Sequence, residues 1–349
     1  MSKSSLSAVS VVALITLTLV QSFGLSSHVS HLSFVPVWLL FMLIANLPLV
    51  FVDAVIVRRS KQLPLEGIAP LTREADIATI WRVCVPLAML GLVLVMGQAS
   101  YYVTHNVSWT EANPMLKEAL PYLVMFFSVG FAWVGTRRLL PYVGILVPVA
   151  LVVNAIGTPF SLQFNLLTPE EWRLGASVAL LSACSASGVY AWLLMQQIPQ
   201  TSATTQVLPL WLTQTLVGVL ALVIGQTQGQ TYLVMYLLCA IFALAACAES
   251  LGAQLQAKGF KKPIALGGVL LATAITVSAA PYVVFDVVLK AVVLLSLLGF
   301  ALLTGWMLKI SHVRKALNFS SEATYNLWRI CIRIVVPITI IWLIVGMFL

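Results

Sequence analysis

Apolar residues run along this chain in long unbroken blocks, separated by short polar breaks that carry most of the charge. Neither a period-two strand pattern nor a one-sided helical stripe describes them, and a block apolar on every side is a helix with no aqueous face. A bilayer core takes about 20 such residues per helix. By that measure eleven spans are predicted: 5–25, 35–57, 82–104, 120–136, 139–160, 173–196, 206–226, 231–256, 263–281, 283–308 and 327–349. The boundaries at 136/139 and 281/283 leave almost no loop, and nowhere is there room for a soluble domain.

Composition agrees. Of 349 residues 60% are hydrophobic and 9% charged, against roughly 25% charged in a soluble domain. The net charge of +8 could suggest nucleic acid, but the cations gather in short loops between apolar blocks, which argues against a nucleic-acid partner. With the N-terminus inside, the inner loops hold thirteen cations: Lys3; Arg58, Arg59, Lys61 and Arg73; Arg137 and Arg138; Lys258, Lys261 and Lys262; Lys309, Arg314 and Lys315. The outer loops hold Lys117 and Arg173. Such a bias sets orientation and predicts a multi-pass cell-membrane protein with a cytoplasmic N-terminus and an external C-terminus. The first block lacks a small-residue cleavage site and more spans follow, so it reads as a retained helix. The five cysteines (Cys84, Cys184, Cys239, Cys247, Cys331) show no paired spacing and read as apolar fillers.

Ionisable groups inside spans mark pathways or sites. Asp53, Glu249, Asp286, Lys290 and Arg333 qualify. Arg82 and Arg329 can snorkel to the headgroups, and Asp286 and Lys290, spaced i,i+4, can neutralise each other. Asp53, in "LPLVFVDAVIVRRS" (47–60), is too short to snorkel far. Glu249 lies about two turns from Lys258, so headgroup contact remains open for it. Enzyme signatures such as H-E-x-x-H, G-x-S-x-G and C-x-x-C are missing, and no cofactor or catalytic residue is predicted. His28 and His31 have a spacing that could hold a metal, but no acid or Cys stands beside them. A polar loop is the better reading.

In helix order, these stretches resemble the neurotransmitter:sodium symporter family, whose fold is the leucine-transporter fold. "LPLVFVDAVIVRRSKQLPLEG" has the shape of that family's second helix, with Asp53 for the usual Glu and Val57 for the usual Gly. "ASYYVTHNVSW" resembles its third, so Tyr102 falls on the tyrosine that contacts substrate in the family. "LTPEEWRLGASVALLSACSASGVYAWLL" is similar to the sixth helix, which is broken midway; the break falls on Ser182, Ser185, Ser187 and Gly188. "AESLGAQLQAKGFKKPIAL" resembles the eighth-to-ninth link, "FDVVLK" puts Asp286 at an outer gate, and "YNLWRICIRIVVPITII" is similar to the eleventh helix. The resemblance implies two inverted five-helix repeats, 1–160 and 161–310, with 311–349 an additional helix, and a site near the midplane where helices break. Read on its own composition, "SACSASG" is also compatible with a small-residue packing face.

Two departures bear on coupling. The family unwinds its first helix at a glycine-rich run; here "SAVSVVALITLTLVQSFG" has only Gly24, near the outer end, and no gating Arg. The family's eighth helix presents a Thr-Ser pair to sodium; "LCAIFALAACAES" has no hydroxyl before Ser250. A hard cation stripped of water without oxygen ligands is prohibitively costly. The twelfth helix has no counterpart. The expectation is therefore an all-α secondary transporter of an amino acid or similar small organic solute, working without the usual sodium sites. Protons through Asp53 or Glu249, or plain exchange, would supply the coupling, and Asp286 and Lys290 would serve as gate. The alternative is a transport-inactive relative acting as partner or sensor.

Overall fold

The computed structural model describes residues 3–22, 34–105, 114–136, 139–157, 166–183, 188–197, 202–224 and 230–347. Among them every regular element is a helix. In chain order these are α1 Lys3–Ser22, α2 Phe34–Ser60, α3 Pro64–Glu74, α4 Cys84–His105, α5 Pro114–Val134, α6 Leu146–Gly157 and α7 Pro169–Leu181. They continue with α8 Val189–Gln196, α9 Ala203–Ile224, α10 Gln230–Ala257, α11 Lys262–Ala279, α12 Val283–Met307, α13 Ile310–Leu317 and α14 Glu322–Val345.

Nine of the described helices are long and apolar enough to cross a bilayer. The short apolar α6 and the pair α7–α8 complete the eleven crossings expected from the hydrophobic blocks. Several boundaries differ from the sequence expectation: the fourth span begins at Pro114, not 120, and the last at Glu322, not 327. The fifth crossing is shorter than 139–160, because a separate turn at Leu140–Val143 precedes α6. The sixth begins at Pro169, not 173, because Thr168 and Glu171 form a capping box that starts the helix earlier. The polar loops also hold two helices that hydropathy alone passes over, α3 and α13, short and amphipathic.

Four helices, α4, α5, α10 and α11, pack mutually. A second group, α2, α7, α8 and α9, packs beside them, and α1 touches both groups through α4, α9 and α10. Burial follows this order: 83% of the α1 span is buried, against 33% of α11 and 39% of α14. Close crossings rest on small residues, as membrane helices require. A Cβ on Gly97 of α4 would lie 2.1 Å from Thr276 Oγ1 of α11, so no larger residue fits there without separating the two helices.

α1 runs unbroken from Lys3 to Ser22, as its β-branched, glycine-free middle predicts. Its hydroxyls turn back onto its own backbone: Thr16 Oγ1 donates to Val12 O and Thr18 Oγ1 to Leu14 O, both at 2.8 Å. Such back-bonding satisfies a hydroxyl without releasing a carbonyl.

Three helices contain a single π turn: Met42–Asn46 in α2, Leu303–Met307 in α12 and Cys331–Val335 in α14. Each displaces carbonyls from the regular ladder, and neighbours use them. Trp211 Nε1 of α9 donates to Met42 O at 3.1 Å. Trp328 Nε1 of α14 donates to Pro48 O just beyond the first π turn, also at 3.1 Å.

Cationic loops converge at one end of the molecule. Arg59 bonds to Glu74 of α3 and reaches His312 Nδ1 of α13 at 3.4 Å. α10 packs on α3 at the same end, and Lys262 Nζ donates to Trp133 O at the end of α5 at 2.7 Å.

Candidate functional site at the interrupted helix

The sixth crossing is two helices. α7 ends at Leu181, Ser182 and Ala183 form a turn, and α8 restarts at Val189 after Gly188. Ser185 and Ser187, predicted to bind solute, lie outside the described residues, as do His28 and His31. Gly188 has φ +78°, and a Cβ on it would lie 2.9 Å from Gln254 Nε2 of α10. Backbone strain and crowding together demand glycine there.

An interrupted helix leaves carbonyls at the end of its first half and N–H groups at the start of its second. Side chains from three other helices surround these. Asn46 Nδ2, on the π turn of α2, donates to Ala179 O at 2.8 Å. Ser182 Oγ donates to the same carbonyl at 3.0 Å. Gln214 of α9 spans the gap: its Nε2 donates to Ser182 O, and its Oε1 accepts from Tyr190 Oη of α8 at 2.6 Å. Gln214 therefore holds both halves. Asp53 of α2 is 1% exposed, and the Ala191 N–H in the first turn of α8 is directed at its carboxyl without reaching full hydrogen-bond geometry. The positive end of the α8 dipole favours a carboxylate at that position. Asp53 thus sits buried on α2 against the first turn of α8. Asn46, Asp53, Gln214 and Gln254 are all buried, and they ring the interruption.

The other predicted residues fall elsewhere. Glu249 of α10 accepts from Thr136 N at 2.9 Å and from Thr136 Oγ1 at 2.5 Å, so it caps the turn that follows α5 and is separate from the break. Lys290 Nζ and Asp286 Oδ2 pair at 2.5 Å, as their i,i+4 spacing allows. They line a cavity of about 310 Å³ with Glu170, Arg173, Leu174 and Ser177. Tyr102, 37% exposed, lies within electrostatic range of Asp286. The structure pairs Asp286 with Lys290 and places Ser182 and Gly188 on either side of the break.

Between α1, α4 and α10 lies a void of about 20 Å³, lined by Ile15, Thr18, Leu19, Met96, Leu244 and Cys247 among others. A void of that size holds one water at most, and an apolar one stays dry. Among the described residues no group of three His, Cys, Asp or Glu is placed to hold a metal.

The crystal structure of MhsT in complex with L-phenylalanine superposes on this chain with a TM-score of 0.74, covering 99% of this chain and 98% of that one at 13% identity. The fold is the leucine-transporter fold. The identity is too low to carry more than the fold. No protein-family model matches the chain, and no curated protein matches it.

Sequence reasoning missed Asn46, Tyr190, Gln214 and Gln254. It weighed charged residues within spans and passed over neutral amides, although a buried amide in lipid also demands partners. "MLIAN" and "WLTQT" each carry one amide in an apolar block, and that signal was available.

Proposed function

We propose that this protein is a secondary transporter that carries an amino acid or similar small organic solute across the cell membrane by alternating access, without the usual sodium sites. The observation that carries the reading is the interruption between α7 and α8, ringed by Asn46, Asp53, Gln214 and Gln254. Irregular backbone at bilayer depth is kept where it serves a cavity or a site. Ser182, Gly188, Ser185 and Ser187 would contact the solute from this break, and Tyr102 from α4. Repeats 1–160 and 161–310 would rock about it, with Asp286 and Lys290 as outer gate and the C-terminus outside. The MhsT complex holds a solute of this class, L-phenylalanine. Unbroken α1 exposes no carbonyls to a sodium ion, so coupling falls to a proton at Asp53 or Glu249, or to exchange.

The experiment is uptake by proteoliposomes across an amino-acid panel, with and without sodium and with and without a proton gradient. Saturable, sodium-independent uptake of an apolar amino acid supports the reading, and sodium-stimulated uptake refutes the coupling assignment. The second reading is a transport-inactive relative serving as partner or sensor. It is favoured by the same unbroken α1. Solute binding with neither uptake nor counterflow would select it.

A further inference from the structure

A second polar site lies apart from the break, between α12 and α14. A pocket of about 350 Å³ opens between the end of α12 and the first half of α14, lined by Trp306, Asn326, Arg329, Ile330, Arg333 and Ile334. Its floor is built around the two π turns. Arg333 Nε donates to Gly305 O, and Trp306 Nε1 donates back to Arg333 O at 3.3 Å. The Arg333 guanidinium lies over the Trp306 ring, 5.0 Å from its centroid. A Cβ on Gly305 would come within 3.1 Å of Arg333 Cγ, so the arginine stem is seated against α12. These contacts hold one face of the guanidinium; among the described residues its terminal nitrogens make no hydrogen bond, and Arg333 lines the pocket.

Arg329 is one turn earlier on the same helix. Among the described residues neither arginine pairs with a carboxylate; the nearby Glu322 is taken by Arg314. Two like charges at i,i+4 repel, and at a low-dielectric boundary that repulsion is poorly screened. Beyond the arginines, α14 exposes Ile330, Ile334, Ile338 and Ile341 along one side, a hydrocarbon track that begins where the two charges end. The first turn of α14, just before the pocket, meets α13: Arg314 pairs with Glu322 and lies over the Tyr325 ring, and α13 reaches Arg59 through His312. The pocket therefore lies at the cationic end, which the loop bias makes cytoplasmic.

The geometry points to a binding site for one anionic phospholipid of the cytoplasmic leaflet, its phosphodiester held between Arg329 and Arg333 beside Trp306 and its acyl chains along the α14 isoleucines. A phosphate accepts paired N–H bonds from guanidinium groups, and basic pockets between helices at this depth suit anionic headgroups. The site does not depend on whether the chain transports.

The test uses the full chain, delipidated in neutral detergent. Phosphatidylglycerol, phosphatidylcholine and inorganic phosphate are added separately. Bound lipid is counted by native mass spectrometry, and the apparent Tm is read by thermal unfolding. Phosphatidylglycerol is expected to raise Tm by several degrees and leave one retained lipid, while phosphatidylcholine and phosphate do little. Arg329→Gln is the chosen variant, because Arg329 makes no hydrogen bond or ion pair within the described protein. It should weaken phosphatidylglycerol binding by about tenfold, and Lys315→Gln, an exposed cation outside the pocket, should not. Equal stabilisation by phosphatidylcholine, or of Arg329→Gln and the unsubstituted chain, overturns the proposal. So does an equal loss in Lys315→Gln, which means diffuse attraction, or a full Tm shift from phosphate alone, which means a soluble-anion site.

Discussion

Gln214 is the residue on which the interrupted crossing most depends, and replacing it by leucine tests that directly. The substitution keeps a side chain of similar bulk but removes both bonds, the one to Ser182 O and the one from Tyr190 Oη. In water-soluble cores each orphaned partner costs about 1–3 kcal/mol. Membrane double-mutant cycles give less, averaging about 0.6 and reaching about 1.7 kcal/mol per bond, because the unfolded chain in lipid finds other partners. Two bonds therefore bound the loss at about 1–3 kcal/mol. Tyr190→Phe removes one of them and should cost about half as much. In the double variant the Tyr190 hydroxyl is gone, so the leucine orphans only Ser182 O; the combined loss should fall short of the sum by about 0.6–1.7 kcal/mol. The assay is thermal unfolding of all four proteins in one detergent, read by the fraction remaining monodisperse after heating. If Gln214→Leu leaves the apparent Tm unchanged, or if the two losses add, the bracket across the break is not bearing load and the account of the site fails.

Asp53→Ala should lower both Tm and any transport, whereas Asp53→Asn should be milder because its oxygen can still accept from the first turn of α8; unchanged melting and activity in Asp53→Ala would make the acid a bystander. Glu249→Ala leaves Thr136 N–H and Oγ1 without their acceptor and should cost about 1–3 kcal/mol, while Glu249→Gln keeps an acceptor; an equal Tm for both variants would remove the capping role. A reporter fused after Leu349 should be active only outside the cytoplasm, and cytoplasmic activity would overturn the orientation drawn from the loop cations.

Element count and order were legible because hydrophobic length in a bilayer is nearly a ruler, and the family resemblance supplied the order in which to read it. The break at Ser182 to Gly188 was legible from small residues and hydroxyls replacing branched aliphatics. The short side chain of Asp53 argues against the headgroups, but its neighbour is set by how α2 packs on α8. Glu249 was not resolved in the same way, since its partner Thr136 lies 113 residues away and no local pattern announces it. The bracket by Gln214 was hidden for a related reason. A lone glutamine in an apolar block says that a partner exists but not which, because the choice is made by helix packing. The π turns left no signature in the hydropathy at all; Trp211 and Trp306 donate to carbonyls within two of them.

The π turn in α2 sets an angular register. One inserted residue rotates everything downstream by about 100° relative to everything upstream. Asp53 comes seven residues after the turn closes at Asn46, so its bearing on α8 is set by that insertion as much as by its own position. Deleting one residue within 42–46 would convert the turn to regular helix, swing the carboxyl about a quarter of the way around the helix axis and aim a neighbouring aliphatic at the break. Two chains alike at every other position could then differ in whether the acid reaches the site at all. In any alignment of such proteins, a single gap just before this proline would carry more functional information than most substitutions inside the span.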